Sequence, residues 1–398
     1  MINKYGYWII RQLKDITDKT SLRFIKFHSK FAALYYATQA KTKNTDLWFW
    51  YHEDVFSKVD ITQLGKISLD TLYKERAQQL RDKYDYLILY FSGGADSHNI
   101  LKTFIDNNIL LDEVCVKWPK PLMDNKFYTP NNLDTRANNI WSEWDYAVAP
   151  TLEWLKKYHP EIKITIKEYV DTSVNINKLF EENKNHGFRS GIIKDSIISD
   201  SEREQIDKGK TVGNIFGVDK PLLLRETSDS KVYMFFTDIS LVTATRSLIN
   251  PTGTEPFYWT ADFPTLPFEQ AYQLFLYYNT NKNLQKFLFT RKGEQKELTS
   301  NQQLQGQQEL AKNVIYSNWD NRFQTKKKTT HIGTDMYSWI YETSELEKLK
   351  KNIVGNIVER SNMINDDFLF VDGIINGQTI KIPSTCYSKL YYIGELTP

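Results

Sequence analysis

The chain has 398 residues, of which 41% are hydrophobic and 25% charged, and its formal net charge is +2. That length accommodates two or three domains, or one large α/β domain with additions, and the composition is that of a soluble globular protein. The near-neutral balance supplies no global basic field for nucleic acid, and no run approaches the roughly 18 consecutive apolar residues of a membrane span.

The first residues, Met1-Ile2-Asn3-Lys4-Tyr5, lack the apolar core of a secretory leader, so a cytoplasmic protein is expected. Residues 1–85 read as a helical N-terminal cap. Apolar residues recur at helical spacing over Ile9–Leu13 and Leu22–Tyr36, and Leu72–Leu80 leads through Arg81-Asp82-Lys83-Tyr84 into a strand. That strand is Tyr86-Leu87-Ile88-Leu89-Tyr90-Phe91. The turn Ser92-Gly93-Gly94-Ala95-Asp96-Ser97 follows, and His98–Ile105 continues as a helix. A strand that ends in a serine-glycine-glycine turn opening a helix is a phosphate cradle. Glycine lets the backbone bend tightly and approach an anion, while the first helical N–H groups lack internal partners and point towards it.

The pattern S-G-G-x-D-S resembles the PP-loop of the ATP pyrophosphatase (adenine nucleotide α hydrolase-like) superfamily. That superfamily includes asparagine, GMP and NAD synthetases, tRNA-lysidine synthetase and tRNA thiolases; the synthetase domain of asparagine synthetases is the nearest. The resemblance implies a Rossmann-like, doubly wound parallel sheet of PP-loop/HUP type. It also implies cleavage of ATP between the α and β phosphates, with Mg²⁺, to adenylate an acceptor. Ser92, Gly93, Gly94, Ala95 and Ser97 would then bind phosphate, and Asp96 would hold Mg²⁺ or fix the loop. The residue type equally suits Asp96 to helix N-capping, and the two roles are compatible. The glutaminase domain of asparagine synthetases needs an N-terminal cysteine after methionine removal; here the second residue is Ile2.

Further along, Glu113–Lys117 reads as a second strand, and Trp118–Asn132, with three prolines, as irregular chain. A helical pattern runs from Asp134 towards Tyr158 with a break near Pro150, and Ile162–Lys167 alternates as a third strand. This βαβαβ alternation is the sequence form of a parallel sheet. Residues 170–212 read as polar helix with loops. A second turn is expected over Asn214–Pro221, and a hairpin over Leu222–Arg225 and Lys231–Phe236 around Thr227–Ser230. Residues 240–290 read as helical and aromatic-rich, and the Gln-rich stretch 291–311 as a loop. A hairpin is expected from Phe368–Val371 to Thr379–Ile382 about Asn376-Gly377. The expected organisation is a cap over 1–85, a nucleotide domain over 86–290 and a mixed α+β accessory region over 291–398.

Beyond the loop, Gly217-Val218-Asp219-Lys220 loosely resembles the later Gly-x-Asp turn of asparagine synthetases. By that resemblance Gly217 and Asp219 would serve nucleotide and metal. Lys220 stands where the family has a second acid, and could instead neutralise charge on a leaving pyrophosphate, or simply face solvent. Lys117 and Trp118 end the second strand, where Trp118 either stacks on a base or packs at the rim of the core. Glu255–Trp259 either lines an acceptor pocket or fills the core. Arg189, Lys194 and Lys326-Lys327-Lys328 read first as solvated charge.

Exclusions sharpen the reading. Cys115 and Cys386 are the only cysteines, too few for a disulfide framework or a thiolate zinc site. They are also too few for the clustered thiols of deazaguanine synthases and some tRNA thiolases. The six histidines lack metal-ligand spacing, and G-x-x-x-x-G-K-[ST] is absent. The expected activity is AMP-forming ligation on an unidentified acceptor, with Asp96 and Lys220 as the working side chains. The alternatives are a non-catalytic adenine-nucleotide module, a tRNA- or DNA-modifying enzyme and a sulfur-transfer enzyme.

Overall fold

In the computed structural model, the described residues are 6–13, 22–27, 46–118, 144–168, 200–217, 220–226, 229–237, 253–290, 297–298, 300–317, 319, 371–375, 378–382 and 387–397. The doubly wound α/β arrangement expected from the alternating pattern is present. Five strands form one parallel sheet: β4 (Tyr86–Tyr90), β5 (Glu113–Trp118), β6 (Lys163–Glu168), β7 (Val212–Phe216) and β10 (Thr254–Pro256). Their order is β10-β7-β4-β5-β6. The chain thus starts at the centre, builds outwards through β5 and β6, then returns to lay β7 and β10 on the other side. The reversal falls between β4 and β7, where Tyr90 pairs with Phe216. On open parallel sheets such a switch point leaves a crevice beyond the strand ends, and ligands bind there.

The two faces of β4 go to different helices because side chains alternate along a strand. Leu87, Leu89 and Phe91 pack into a core with α2 (Leu69–Lys83), α3 (Ala95–Asp106) and α4 (Ala149–Tyr158), through residues such as Ala77, Leu80, Ile100, Phe104 and Leu155. Tyr86 and Ile88 face the other way, with Cys115, Val212 and Ile206, the last from α5 (Asp200–Asp207). Helix α2 starts at Ser68, whose hydroxyl accepts from the Thr71 N–H at 3.2 Å, and ends in Arg81 and Lys83, which complement the helix dipole. Helix α4 begins just before Pro150, after a π-helical turn over Trp144–Val148. The expected break near Pro150 is therefore a change of helix type.

A second sheet has the order β11-β8-β9-β14, from Phe289–Thr290, Leu222–Arg225, Lys231–Phe235 and Tyr391–Glu395. Its β8–β9 pair is the expected hairpin, antiparallel with Leu222 opposite Phe235. A C-terminal hairpin forms from β12 (Val371–Ile375) and β13 (Gln378–Ile382); its first strand lies later than the expected Phe368–Val371, of which residues 368–370 are outside the described residues. Helix α6 (Thr265–Thr280) packs on the core, and a four-residue helix, α1 (Glu53–Phe56), precedes α2.

Four expectations are corrected. The N-terminal segments expected as helix are strands. β1 (Tyr7–Leu13) pairs antiparallel with β2 (Leu22–Phe27) and β3 (Asp46–Trp50). Trp8 is buried while Tyr7 and Ile9 are half-buried, which is period two rather than 3.6. Short apolar runs fit either template, and here the β-branched and aromatic content decided. Residues 28–36 of the same expectation lie outside the described residues. The second turn starts later than expected, because Asn214-Ile215-Phe216 completes β7; likewise Thr254–Pro256, within the stretch read as helical, is strand β10. Finally, the Gln-rich stretch read as a loop enters helix α7 (Ser300–Ile315).

One buried cluster joins parts of the chain far apart in sequence. It includes Trp8, Phe49 and Tyr51, then Leu89 and Ile215, then Ala311, Ile315, Tyr391 and Ile393.

Candidate functional site

The site is built from the end of β4. Gly93 adopts a φ of +79°, which a side chain would strain, and a Cβ there would come within 2.9 Å of Val148 Cγ2. Gly94 is the N-cap of α3 and carries no capping side chain. The alternative N-capping role for Asp96 is therefore corrected: Asp96 sits in the first turn, where its charge complements the helix dipole.

The two serines shape the turn. The Ser97 hydroxyl accepts from the Ser92 N–H at 3.2 Å and donates to the Gly94 carbonyl at 3.1 Å. The Ser92 hydroxyl accepts from the Gly94 N–H at 3.3 Å and remains exposed. Ser97 is 3% exposed. The curvature of the turn is therefore fixed by its own side chains, and the first N–H groups of α3 have no partner within the helix.

Gly217 closes one flank. A Cβ at this position would lie 3.0 Å from the Asp96 carbonyl carbon and 3.0 Å from the Ser97 nitrogen. The chain leaving β7 can pass the tip of α3 only because nothing projects there. It then delivers Lys220, whose Nζ lies 2.6 Å from the Asp96 carboxylate. The lysine side chain is only 7% exposed, the carboxylate 23%.

Two tyrosines complete the arrangement. Tyr316, just past α7, donates to the Asp96 carboxylate. Tyr258 donates to the Asp96 backbone carbonyl at 2.8 Å and accepts from Asn99 Nδ2 at 3.1 Å. With Tyr73 they form a buried cluster whose ring centroids are 5.6–6.2 Å apart. Burial pushes all three hydroxyls well above the ordinary tyrosine range, and the Asp96 charge adds to the rise.

The segment carrying Tyr258 is itself fixed from below. The wholly buried Arg76 donates to Glu255 Oε2 at 3.1 Å, to the Pro256 carbonyl at 3.0 Å and to the Phe257 carbonyl at 3.3 Å. Burial pulls the guanidinium below its usual range, and the Glu255 carboxylate opposes that pull.

Of the residues singled out in the sequence, Ser92, Gly93, Gly94, Ala95, Asp96, Ser97, Gly217 and Lys220 converge on this one spot. Lys117 and Trp118 end β5, the neighbouring strand, and their side chains lie outside the described residues. Asp219, Arg189, Lys194 and Lys326–Lys328 lie outside them too. Tyr258 was visible only as one member of an aromatic run. Nothing in the sequence singled out Tyr316, some 220 residues from Asp96.

Metal chemistry has a narrow basis. No group of three or more His, Cys, Asp or Glu able to hold a metal occurs among the described residues. Among the described residues, Asp96 is the carboxylate of the glycine turn. That is too little for an all-protein site but compatible with Mg²⁺ arriving on phosphate oxygens, as this ion commonly does.

Fold and site together define an α/β protein whose glycine turn, at the switch point of a parallel sheet, presents helix N–H groups beside a lysine–aspartate pair. Comparison with protein-family models, with curated proteins and with solved structures finds no match. No helix among the described residues is long and apolar enough to cross a membrane.

Proposed function

We propose that the protein splits ATP between the α and β phosphates and transfers the adenylyl group to an acceptor, in the manner of PP-loop ATP pyrophosphatases. The observation that carries this is the position of the Ser92–Ser97 turn. It lies at the switch point, with Gly217 pressed against the helix tip and Lys220 beside Asp96.

The β and γ phosphates sit against the first-turn N–H groups of α3, within reach of the exposed Ser92 hydroxyl. An acceptor oxygen, from a carboxylate, amide or base carbonyl, attacks the α-phosphorus; the bond to the bridging oxygen breaks, and pyrophosphate leaves with the electron pair. Charge grows on that leaving group, and a positioned cation next to it lowers the barrier. Lys220 is aimed by its ion pair with Asp96, whose carboxylate Tyr316 also holds, until it serves this purpose. Mg²⁺ carried in on the phosphates would share the neutralisation, with Asp96 as its protein ligand. Ammonia or another nucleophile then displaces AMP from the adenylated acceptor.

A second reading has its own support. Asp96 already answers to Lys220 and Tyr316, an arrangement that equally suits a module that holds a nucleotide without cleaving it.

The test is incubation with Mg²⁺, ATP labelled at the α and γ positions, and a pool of carboxylate, amide and nucleobase acceptors. Acceptor-dependent AMP and pyrophosphate are expected. Lys220→Ala should lower the rate about 100-fold or more, the usual cost of losing one transition-state charge partner. ADP and phosphate as products would overturn the proposal. Nucleotide binding without cleavage would favour the second reading.

A further inference from the structure

The Asp96 carboxylate is held in place from several sides. Tyr316 donates to the carboxylate itself, and Tyr258 donates to the backbone carbonyl of the same residue at 2.8 Å. Gly217 lies against that stretch of backbone, where even a Cβ would come within 3.0 Å of the Asp96 carbonyl carbon. Lys220 reaches the carboxylate differently, on a flexible four-carbon stem that ends in a rotatable ammonium. Its Nζ lies 2.6 Å from the carboxylate and 5.8 Å from the centroid of the Tyr316 ring. Of the two charged partners, the carboxylate is therefore the fixed one and the ammonium the one able to swing.

Charge decides what this pair accepts. Asp96 and Lys220 together are neutral, so the paired turn offers no net negative charge to a metal ion. A divalent ion on the carboxylate would also stand close to the ammonium, and like charges repel strongly where water is largely excluded; the lysine side chain is 7% exposed and the carboxylate 23%. Mg²⁺ demands near-octahedral oxygen ligands and gives up its water reluctantly. A carboxylate already committed to an ammonium serves it poorly. Phosphate oxygens change the balance. They carry more negative charge than one carboxylate, and the helix N-terminus that attracts them lies beside the lysine.

We propose that Lys220 and a divalent cation are alternative partners of Asp96, exchanged by the arrival of the phosphates. Without a phosphate ligand the lysine keeps the carboxylate and bars the metal. With one, the ammonium leaves Asp96 for a phosphate oxygen, and the carboxylate is released to the ion. The site thereby takes its cation only together with its nucleotide. This inference rests on the reading of the glycine turn as a nucleotide-phosphate site, and it adds to that reading an order of events and a role for Lys220 in setting the affinity for the metal.

The test is calorimetric titration of the full chain with α,β-methylene-ATP, which cannot be split between those phosphates, once in EDTA and once in saturating Mg²⁺. The readout is the gain in affinity that Mg²⁺ brings. In Lys220→Gln the metal-free affinity should fall about ten-fold or more, the worth of one charged hydrogen bond. The gain from Mg²⁺ should rise by a similar factor, because no lysine has to be displaced. In Asp96→Asn the gain should shrink about ten-fold or more, since the ion loses its charged protein ligand. Each gain is a ratio within one protein, so a loss of stability alone does not move it. Thermal unfolding verifies that the variants are folded, and Asp96→Asn, whose amide oxygen can still accept from Tyr316, decides the matter if Lys220→Gln does not fold. A gain unchanged in either folded variant, or a gain that falls in Lys220→Gln, would overturn the proposal while leaving the nucleotide reading intact. No saturable binding with or without Mg²⁺ would sink the nucleotide reading and this inference with it.

Discussion

Asp96 answers to three side chains that come from three distant parts of the chain: Lys220 and Tyr316 on its carboxylate, and Tyr258 on its backbone carbonyl. Removing the lysine leaves a partly buried carboxylate without its cation, so Lys220→Met should cost about 3 kcal/mol, the lower end for stripping one partner from a buried pair. Chemical denaturation checks the figure. Gly217→Ala tests the close approach at the helix tip. The new Cβ meets backbone atoms at 3.0 Å, which cannot swing aside as a side chain could. The expected outcome is a stability loss of about 1–3 kcal/mol, typical of overpacking, together with weakened nucleotide binding.

The tyrosines set an alkaline limit. Tyr73, Tyr258 and Tyr316 have raised pKa values when folded, chiefly through burial. The folded protein therefore holds protons that the unfolded chain releases near pH 10. The stability these groups contribute is complete below about pH 10 and is lost as the pH climbs beyond it. Absorbance of tyrosinate should show part of the tyrosine population titrating only with unfolding. A full titration in the native state would contradict this.

At the scale of elements, α7 is the instructive case. Its composition reads as loop because glutamine is polar, yet Gln303, Gln307 and Ala311 are buried and four residues apart, with Ile315 continuing the stripe. The periodicity is helical; what disguises it is that half of the buried face is amide. Those amides replace apolar contact with hydrogen bonds to the buried backbone of β8 and of the segment before β11. Gln307→Ala should strand the Leu223 N–H and carbonyl, at a cost of about 2 kcal/mol. Because Tyr316 follows the same helix, the variant should also weaken whatever the Asp96 site binds. The N-terminal strands were misread for a related reason. The strands Tyr7–Leu13 and Leu22–Phe27 each span less than two helical turns, too few to separate a period of 3.6 from one of two, and the rest of the expected Leu22–Tyr36 helix lies outside the described residues.

At the scale of the whole molecule, one core runs from Trp8 through Leu89 to Ile393. The N-terminal sheet, the parallel sheet and the last strand should therefore unfold together. Leu89 is fully buried in the central strand, so Leu89→Ala should cost about 2–5 kcal/mol. Circular dichroism and tryptophan emission should report the same midpoint in the wild type and the same shift in the variant. Two separated transitions would show that the N-terminal sheet folds alone.

What the sequence determined by itself is local. The run Tyr86–Phe91, the glycines after it and the apolar face of α3 specify a strand, a tight turn and a helix, because each rests on backbone conformation and short-range periodicity. The hairpin of β8 and β9 follows from the same kind of information. Only the tertiary structure decided that β7 lies beside β4, that Gly217 touches the tip of α3, and that Lys220, Tyr258 and Tyr316 meet at Asp96. The three side chains that meet at Asp96 come from 124 to 220 positions away. No local spacing encodes them; the burial of one shared core brings them together.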